Sequence, residues 1–170
     1  MRFFRLYFLY DLLTAPGVMV HELSHAIFCV FAGVKIYKIK LFQFGRVAGF
    51  VAHDEPTKFF QGFLISAGPL IINSLVALYL FARFNFSVDN KLSLLYLYFG
   101  VALALHAIPS SGDAQALLNL ANRRVFKNPF VLVGYPFILI FYIFYILKRF
   151  HLDWIYTIAL FWLGYFYLKT

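Results

Sequence analysis

Charge is what this sequence has least of. Seven acidic and 15 basic side chains serve 170 residues, 13% of the chain, against 63% hydrophobic. A soluble fold of this length needs a larger polar surface than those side chains can cover, whereas a bilayer requires none. A soluble globular class is thereby excluded, and the lipid bilayer becomes the expected surroundings. A single cysteine, Cys29, excludes an intramolecular disulfide and a cysteine-based zinc cluster and leaves the redox compartment open. Neither an internal repeat, a low-complexity linker nor an extramembrane domain interrupts the chain, so one integral membrane domain is expected over residues 1–170. Arg2 and Arg5 precede an apolar stretch as in a signal peptide. No small-residue cleavage pattern follows, and the stretch is expected to stay in the membrane.

The basic excess is not interleaved on one face, as a nucleic-acid partner would require. It falls between apolar runs, as in Lys35, Lys38, Lys40 and Arg46, and again in Arg123, Arg124 and Lys127. The positive-inside rule puts such clusters on the cytoplasmic side.

What the chain does have is apolar length. A stretch from about Phe3 to Val34, interrupted at Thr14-Ala15-Pro16-Gly17, predicts one span with a kink or with a short interfacial helix before it. Residues Val34 to Val51, broken at Gly45, predict a small β-hairpin at the membrane surface. Further spans are predicted at about Phe59–Phe81, Leu92–Ile108, Phe130–Leu147 and Trp154–Leu168. Polar residues Asn85 to Asn90 join the second and third. A less apolar helix over Gly112–Asn122 follows Pro109. The expected fold is an all-α polytopic membrane protein of about five transmembrane helices, with a small β-hairpin after the first.

The run His21-Glu22-Leu23-Ser24-His25 lies near the C-terminal end of the first span. On a helix, two histidines four residues apart project from one face, the spacing two imidazoles need to share one zinc. Glu22 is rotated about 100° from His21, outside the ligand row and suited to act as base on the attacking water. The alternative is a pair of satisfied core histidines, but ionisable groups inside a span are costly. This is the motif of the zincins.

Catalytic zinc takes three protein ligands, so a third is needed. If the basic hairpin is cytoplasmic, the third span ends with Asp113 at the depth of His21 and His25. Ser-Gly-Asp is also good helix-capping chemistry, which is the competing reading of Asp113. Asp11 reads as a local cap or surface residue. His106, separated from Asp113 by Pro109 and Gly112, reads as a group supporting a ligand or the transition state rather than as a ligand itself. Asn73 can donate to an oxyanion or orient a substrate, or it can be a hydrogen bond between helices. Cys29 reads as packing and His53 as a solvated loop residue.

Taken in order, the His21–His25 run with Ala26, the basic hairpin after Gly33-Val34, Gly68-Pro69 with Asn73, and Pro109 to Asp113 resemble the site-2 protease family of intramembrane zinc metalloproteases. The resemblance covers about residues 16–122, with additional helices at about 129–168. It implies a three-helix catalytic core, Zn2+ on His21, His25 and Asp113, Glu22 as base, and a role for Asn73 near the substrate. The implied activity is endopeptidase cleavage in or near transmembrane segments of membrane-protein or peptide substrates. Its setting is a multi-pass protein of the cell membrane whose site faces the cytoplasm. One departure stands out: where the family reads Asn-x-x-Pro followed by Leu-Asp-Gly, this chain reads His106-Ala-Ile-Pro109-Ser-Ser-Gly-Asp113. It motivates a rival reading, a non-catalytic zinc-binding scaffold or chaperone of the same fold. A small ion-conducting or structural membrane protein without zinc is the other rival.

Overall fold

The structure, a computed structural model, describes residues 9–43, 48–86, 91–126, 129–148 and 150–168. Arg2, Arg5, Gly45, Arg46, the end of the Asn85–Asn90 joint, Lys127 and Arg149 lie outside the described residues.

Residues 9–13 are helical, Thr14 breaks the run, and α1 covers Ala15–Phe31. Pro16 falls in the first turn of α1, where its missing N–H forfeits no bond. Thr14 turns its hydroxyl back onto the Tyr10 carbonyl at 2.8 Å. A short helix before α1 is therefore how the chain handles the break at 14–17. At the other end Gly33, with φ of 67°, turns the chain, and Val34 N–H closes on the Cys29 carbonyl at 2.8 Å.

The predicted hairpin consists of β1 (Ile36–Lys40) and β2 (Phe50–His53), antiparallel, pairing Ile36 with His53 and Lys40 with Phe50. A register shift between Ile36 and Lys38 bends it. Then come α2 (Phe59–Arg83), α3 (Lys91–Leu105), α4 (Ser111–Arg124), a 3-10 turn (Pro129–Gly134), α5 (Tyr135–Lys148) and α6 (Leu152–Tyr167). The longest is α2, at 25 residues about 37 Å. It runs through the centre, packed against α1, α3, α4 and α6, while α5 packs on α4 and the hairpin on α1.

Two apolar cores flank α2. Toward α4 and α5, Ala67 meets Leu117, Ala121, Ile138 and Phe141; toward α3 and α6, Ala77 and Phe81 meet Leu103 and Leu160. Glycine makes the second approach possible, since a Cβ on Gly100 would lie 2.6 Å from the Phe81 ring. The outward faces are also apolar, with Leu75, Leu94, Ile143 and Ile155 exposed.

The protein is thus mostly helical with one small antiparallel sheet. Among the described residues two segments, Phe59–Arg83 and Val131–Lys148, are long and apolar enough to cross a membrane; Ala15–Phe31 and Lys91–Leu105 are apolar but shorter. The shorter lengths arise where the apolar runs break: Thr14 interrupts the first, and the third leaves the helix at Leu105, four residues before Pro109.

Candidate metal centre

The centre is assembled from α1 and the start of α4. His21 and His25 lie one turn apart on α1, only 9% and 7% exposed, with ring centroids 4.9 Å apart. Asp113 sits in the first turn of α4. Its Oδ1 is 3.1 Å from His25 Nε2, its Oδ2 is 3.7 Å from His21 Nε2, and the two Nε2 atoms are 3.2 Å apart. These side chains can hold a metal ion, with one ligand atom from each within 4.8 Å of the others.

The remaining ring nitrogens show what this convergence requires. His21 Nδ1 lies 2.7 Å from the His106 carbonyl, and His25 Nδ1 lies 2.8 Å from the Ile65 carbonyl. A carbonyl only accepts, so each Nδ1 carries the proton and donates. In its neutral form each ring presents a bare Nε2 lone pair. Two lone pairs and a carboxylate facing one point are mutually repulsive unless a cation lies between them. That is the donor set and tautomer a zinc ion takes, with a backbone carbonyl orienting each imidazole from behind.

Asp113 caps α4 while it stands against both histidines. Ser110 N–H donates to Oδ2 at 2.7 Å and Asp113 N–H donates to Ser110 Oγ at 3.2 Å, a reciprocal cap of α4. The same bonds aim Oδ1 at His25.

The centre opens into a cavity of about 1160 Å³ walled by α1, β2, α4 and the α5–α6 turn. Glu22 lines it beside His21 and His25, and among the described residues its carboxylate accepts no hydrogen bond. Its stem rests on Gly49, just before β2, where a Cβ would lie 2.6 Å from Glu22 Cγ. The hairpin thus approaches as closely as a residue without a side chain permits.

Asn73 and His106 stand elsewhere than at the ligand point. Asn73 is fully buried and absent from the cavity wall. Its Nδ2 donates to the Gly17 carbonyl at 3.2 Å and to the Leu103 carbonyl at 3.3 Å, and Ser24 Oγ approaches its Oδ1 at 3.4 Å. Both amide hydrogens tie α1 and α3 to α2, the interhelical role that the sequence also allows. His106 lines the cavity, but its Nε2 lies 2.7 Å from Thr14 Oγ1. The Thr14 hydroxyl already donates to Tyr10, so His106 Nε2 donates to it. The support His106 lends to His21 comes from its carbonyl, not from its ring.

Cys29 is fully buried against Val34 and Ile65 beneath the hairpin. His53 lies at the cavity rim, its Nδ1 donating to the Asp54 carbonyl at 2.6 Å, and Asp11 lines the opposite wall. Gly49, Thr14, Ser110 and the Ile65 carbonyl escape sequence reasoning. A backbone carbonyl has no residue signature, and nothing about Gly49 in the chain points to Glu22, 27 positions earlier. Only Ser110 has a signal, its place three residues before Asp113. No family model, curated protein or solved structure matches the chain.

Proposed function

We propose that this protein is an intramembrane zinc-dependent endopeptidase of the site-2 protease type, cleaving peptide bonds in or near transmembrane segments of its substrates. The observation that carries the reading is the pair of Nε2 atoms, 3.2 Å apart, with Asp113 against both and, in the same cavity, Glu22, which accepts no hydrogen bond among the described residues. A structural zinc usually takes four protein ligands and has no use for a base. Here three ligands leave one position open and a free carboxylate stands beside it. Zinc bound there would polarise the scissile carbonyl and acidify the attacking water.

The chain's own residues do the rest. His21 and His25 are held by the carbonyls of His106 and Ile65, and Asp113 by its cap, so the ligands need no rearrangement to bind. Glu22 takes the proton from the attacking water and passes it to the leaving amine. The cavity admits that water. A helical substrate must unwind to expose its peptide bond, and β2, an edge strand bordering the cavity, can hold the unwound segment by strand addition. In this reading α1, α2, α3, the Val131–Lys148 segment and α6 all lie in the cell membrane. The hairpin and the mouth of the site are cytoplasmic, as the charge of Lys35, Lys38 and Lys40 favours.

The test is zinc content together with cleavage of a model transmembrane peptide by the purified protein and by Glu22→Gln. The expected result is zinc in both and cleavage lost, by about 10²–10⁴-fold, only in the variant. Zinc without cleavage by the unaltered protein favours the non-catalytic scaffold, and absence of zinc removes the reading altogether.

A further inference from the structure

The hairpin has two strands, and only one of them borders the cavity. Phe50, Val51 and His53 of β2 line it, whereas no residue of β1 does. The surface of β1 is both basic and apolar. Lys35, just before the strand, and Lys38 and Lys40 within it are exposed, and so are Tyr37 and Ile39, at 61% and 45%. The end of α1 continues the apolar part with Val30 and Phe31, the latter 80% exposed.

The acidic side chains that could neutralise those lysines are placed elsewhere. Asp11, Glu22, Asp54, Glu55, Asp113 and Asp153, six of the seven acidic residues, line the cavity, and the seventh, Asp89, belongs to the segment that joins the opposite end of α2 to α3. Glu55 pairs with Arg123, and Asp54, nearest to β1, accepts the Tyr37 hydroxyl. Among the described residues Lys35, Lys38 and Lys40 enter no ion pair. Two of them stand over rings instead, Lys35 at 5.3 Å from the centre of Tyr37 and Lys38 at 5.9 Å from that of Phe50. Ammonium groups set among exposed aromatic and aliphatic side chains complement a surface that is anionic outside and apolar beneath. A second copy of the chain is a poor complement, since it would bring three more lysines to the same edge.

We infer that β1 is a docking surface for the anionic phospholipid headgroups of the membrane that holds the chain. This rests on the membrane setting of the proposed function and not on its chemistry. Clustered lysines bind acidic lipids on the cytoplasmic leaflet, the face on which that reading puts the hairpin. Lys35, Lys38 and Lys40 meet the lipid phosphates, and Phe31, Tyr37 and Ile39 enter the layer beneath them. Seated in this way, the hairpin presents β2 and Gly49 to the cavity at a fixed depth.

The experiment first floats the full-length protein with vesicles of phosphatidylcholine. It then counts, by native mass spectrometry, the lipids that the purified protein keeps from an equimolar mixture of phosphatidylcholine and phosphatidylglycerol. The expected result is flotation, and a preference for phosphatidylglycerol that falls at least about tenfold in Lys38→Gln/Lys40→Gln. Arg83→Gln/Lys91→Gln removes the same charge where α2 gives way to α3 and should change the preference less than about twofold. No preference in the unaltered protein, an unchanged preference in the hairpin variant, or an equal fall in both variants overturns the docking surface alone. So does a dimer that Lys38→Gln/Lys40→Gln dissolves, which would give the strand to a second copy. A protein that does not float removes the membrane setting and the docking surface together.

Discussion

At the residue scale, Asp113 caps α4 and, on the proposed reading, holds the metal, two roles that one substitution can separate. Asn at 113 still accepts from Ser110 N–H and keeps the α4 cap, but it has no negative charge to offer a metal. Asp113→Asn should therefore lower zinc affinity more than about 100-fold while leaving the unfolding of the metal-free protein within about 1 kcal/mol of the parent. Zinc titration and denaturation of the two proteins check this, and unchanged zinc affinity would remove Asp113 from the ligand set. Asn73 behaves in the opposite way. Asn73→Ala removes two hydrogen bonds that tie α1 and α3 to α2 in a dry core, although the Leu103 carbonyl keeps the His106 N–H, costing about 1–3 kcal/mol of stability. Those molecules that remain folded should keep zinc and turnover per bound zinc. A selective loss of kcat at normal stability would return Asn73 to the reaction. The residue types at 21, 22, 25 and 113 are readable in the chain because metal-site chemistry restricts side chains. The carbonyls of His106 and Ile65, which fix both tautomers, are not readable, since any residue supplies a carbonyl.

At the scale of elements, the hairpin is tied to the site through Gly49. Gly49→Val puts atoms where Glu22 Cγ now lies, 2.6 Å from the new Cβ, and must push either the carboxylate or the strand away. Cleavage should fall at least about 100-fold with zinc retained, because the base moves and the ligands do not. Replacing β1 and β2 with a short flexible linker should give the same separation, zinc without cleavage; full activity in that variant would remove β2 from substrate binding. The helices show a similar division between pattern and outcome. Apolar runs and Pro16, Pro109 and Gly33 mark where each helix begins and stops, because these residues act on their own backbone. The break at Thr14 and the α3 end at Leu105 leave those helices shorter than the apolar runs around them. The hydrophobic pattern reports how far a chain is buried in lipid or protein, not whether it stays helical throughout.

At the scale of the whole molecule, the site joins groups 92 residues apart, from His21 on α1 to Asp113 on α4, with α2 between them as the common support. A metal bound there links both helices, so removing it should lower the thermal stability of the whole domain. At a zinc concentration 1,000 times Kd the loss is about 4 kcal/mol, measurable as a fall in unfolding temperature on adding a chelator and reversed by excess zinc. No such shift is expected in Asp113→Asn. The chain by itself determined that most of it is helix, that a hairpin follows the first long helix, and that a His-Glu-x-x-His run lies on one helix face. Each of these follows from composition or from spacing along a few turns, where the periodicity of one element suffices. Tertiary structure alone decided that Asp113 reaches both histidines, that Asn73 is sealed into the helix junction, that Gly49 bears on Glu22, and that the scattered acidic residues share one cavity. These are contacts between elements far apart in sequence, made when α2 gathers α1, α3 and α4 around it, and no local pattern encodes a distance across that junction.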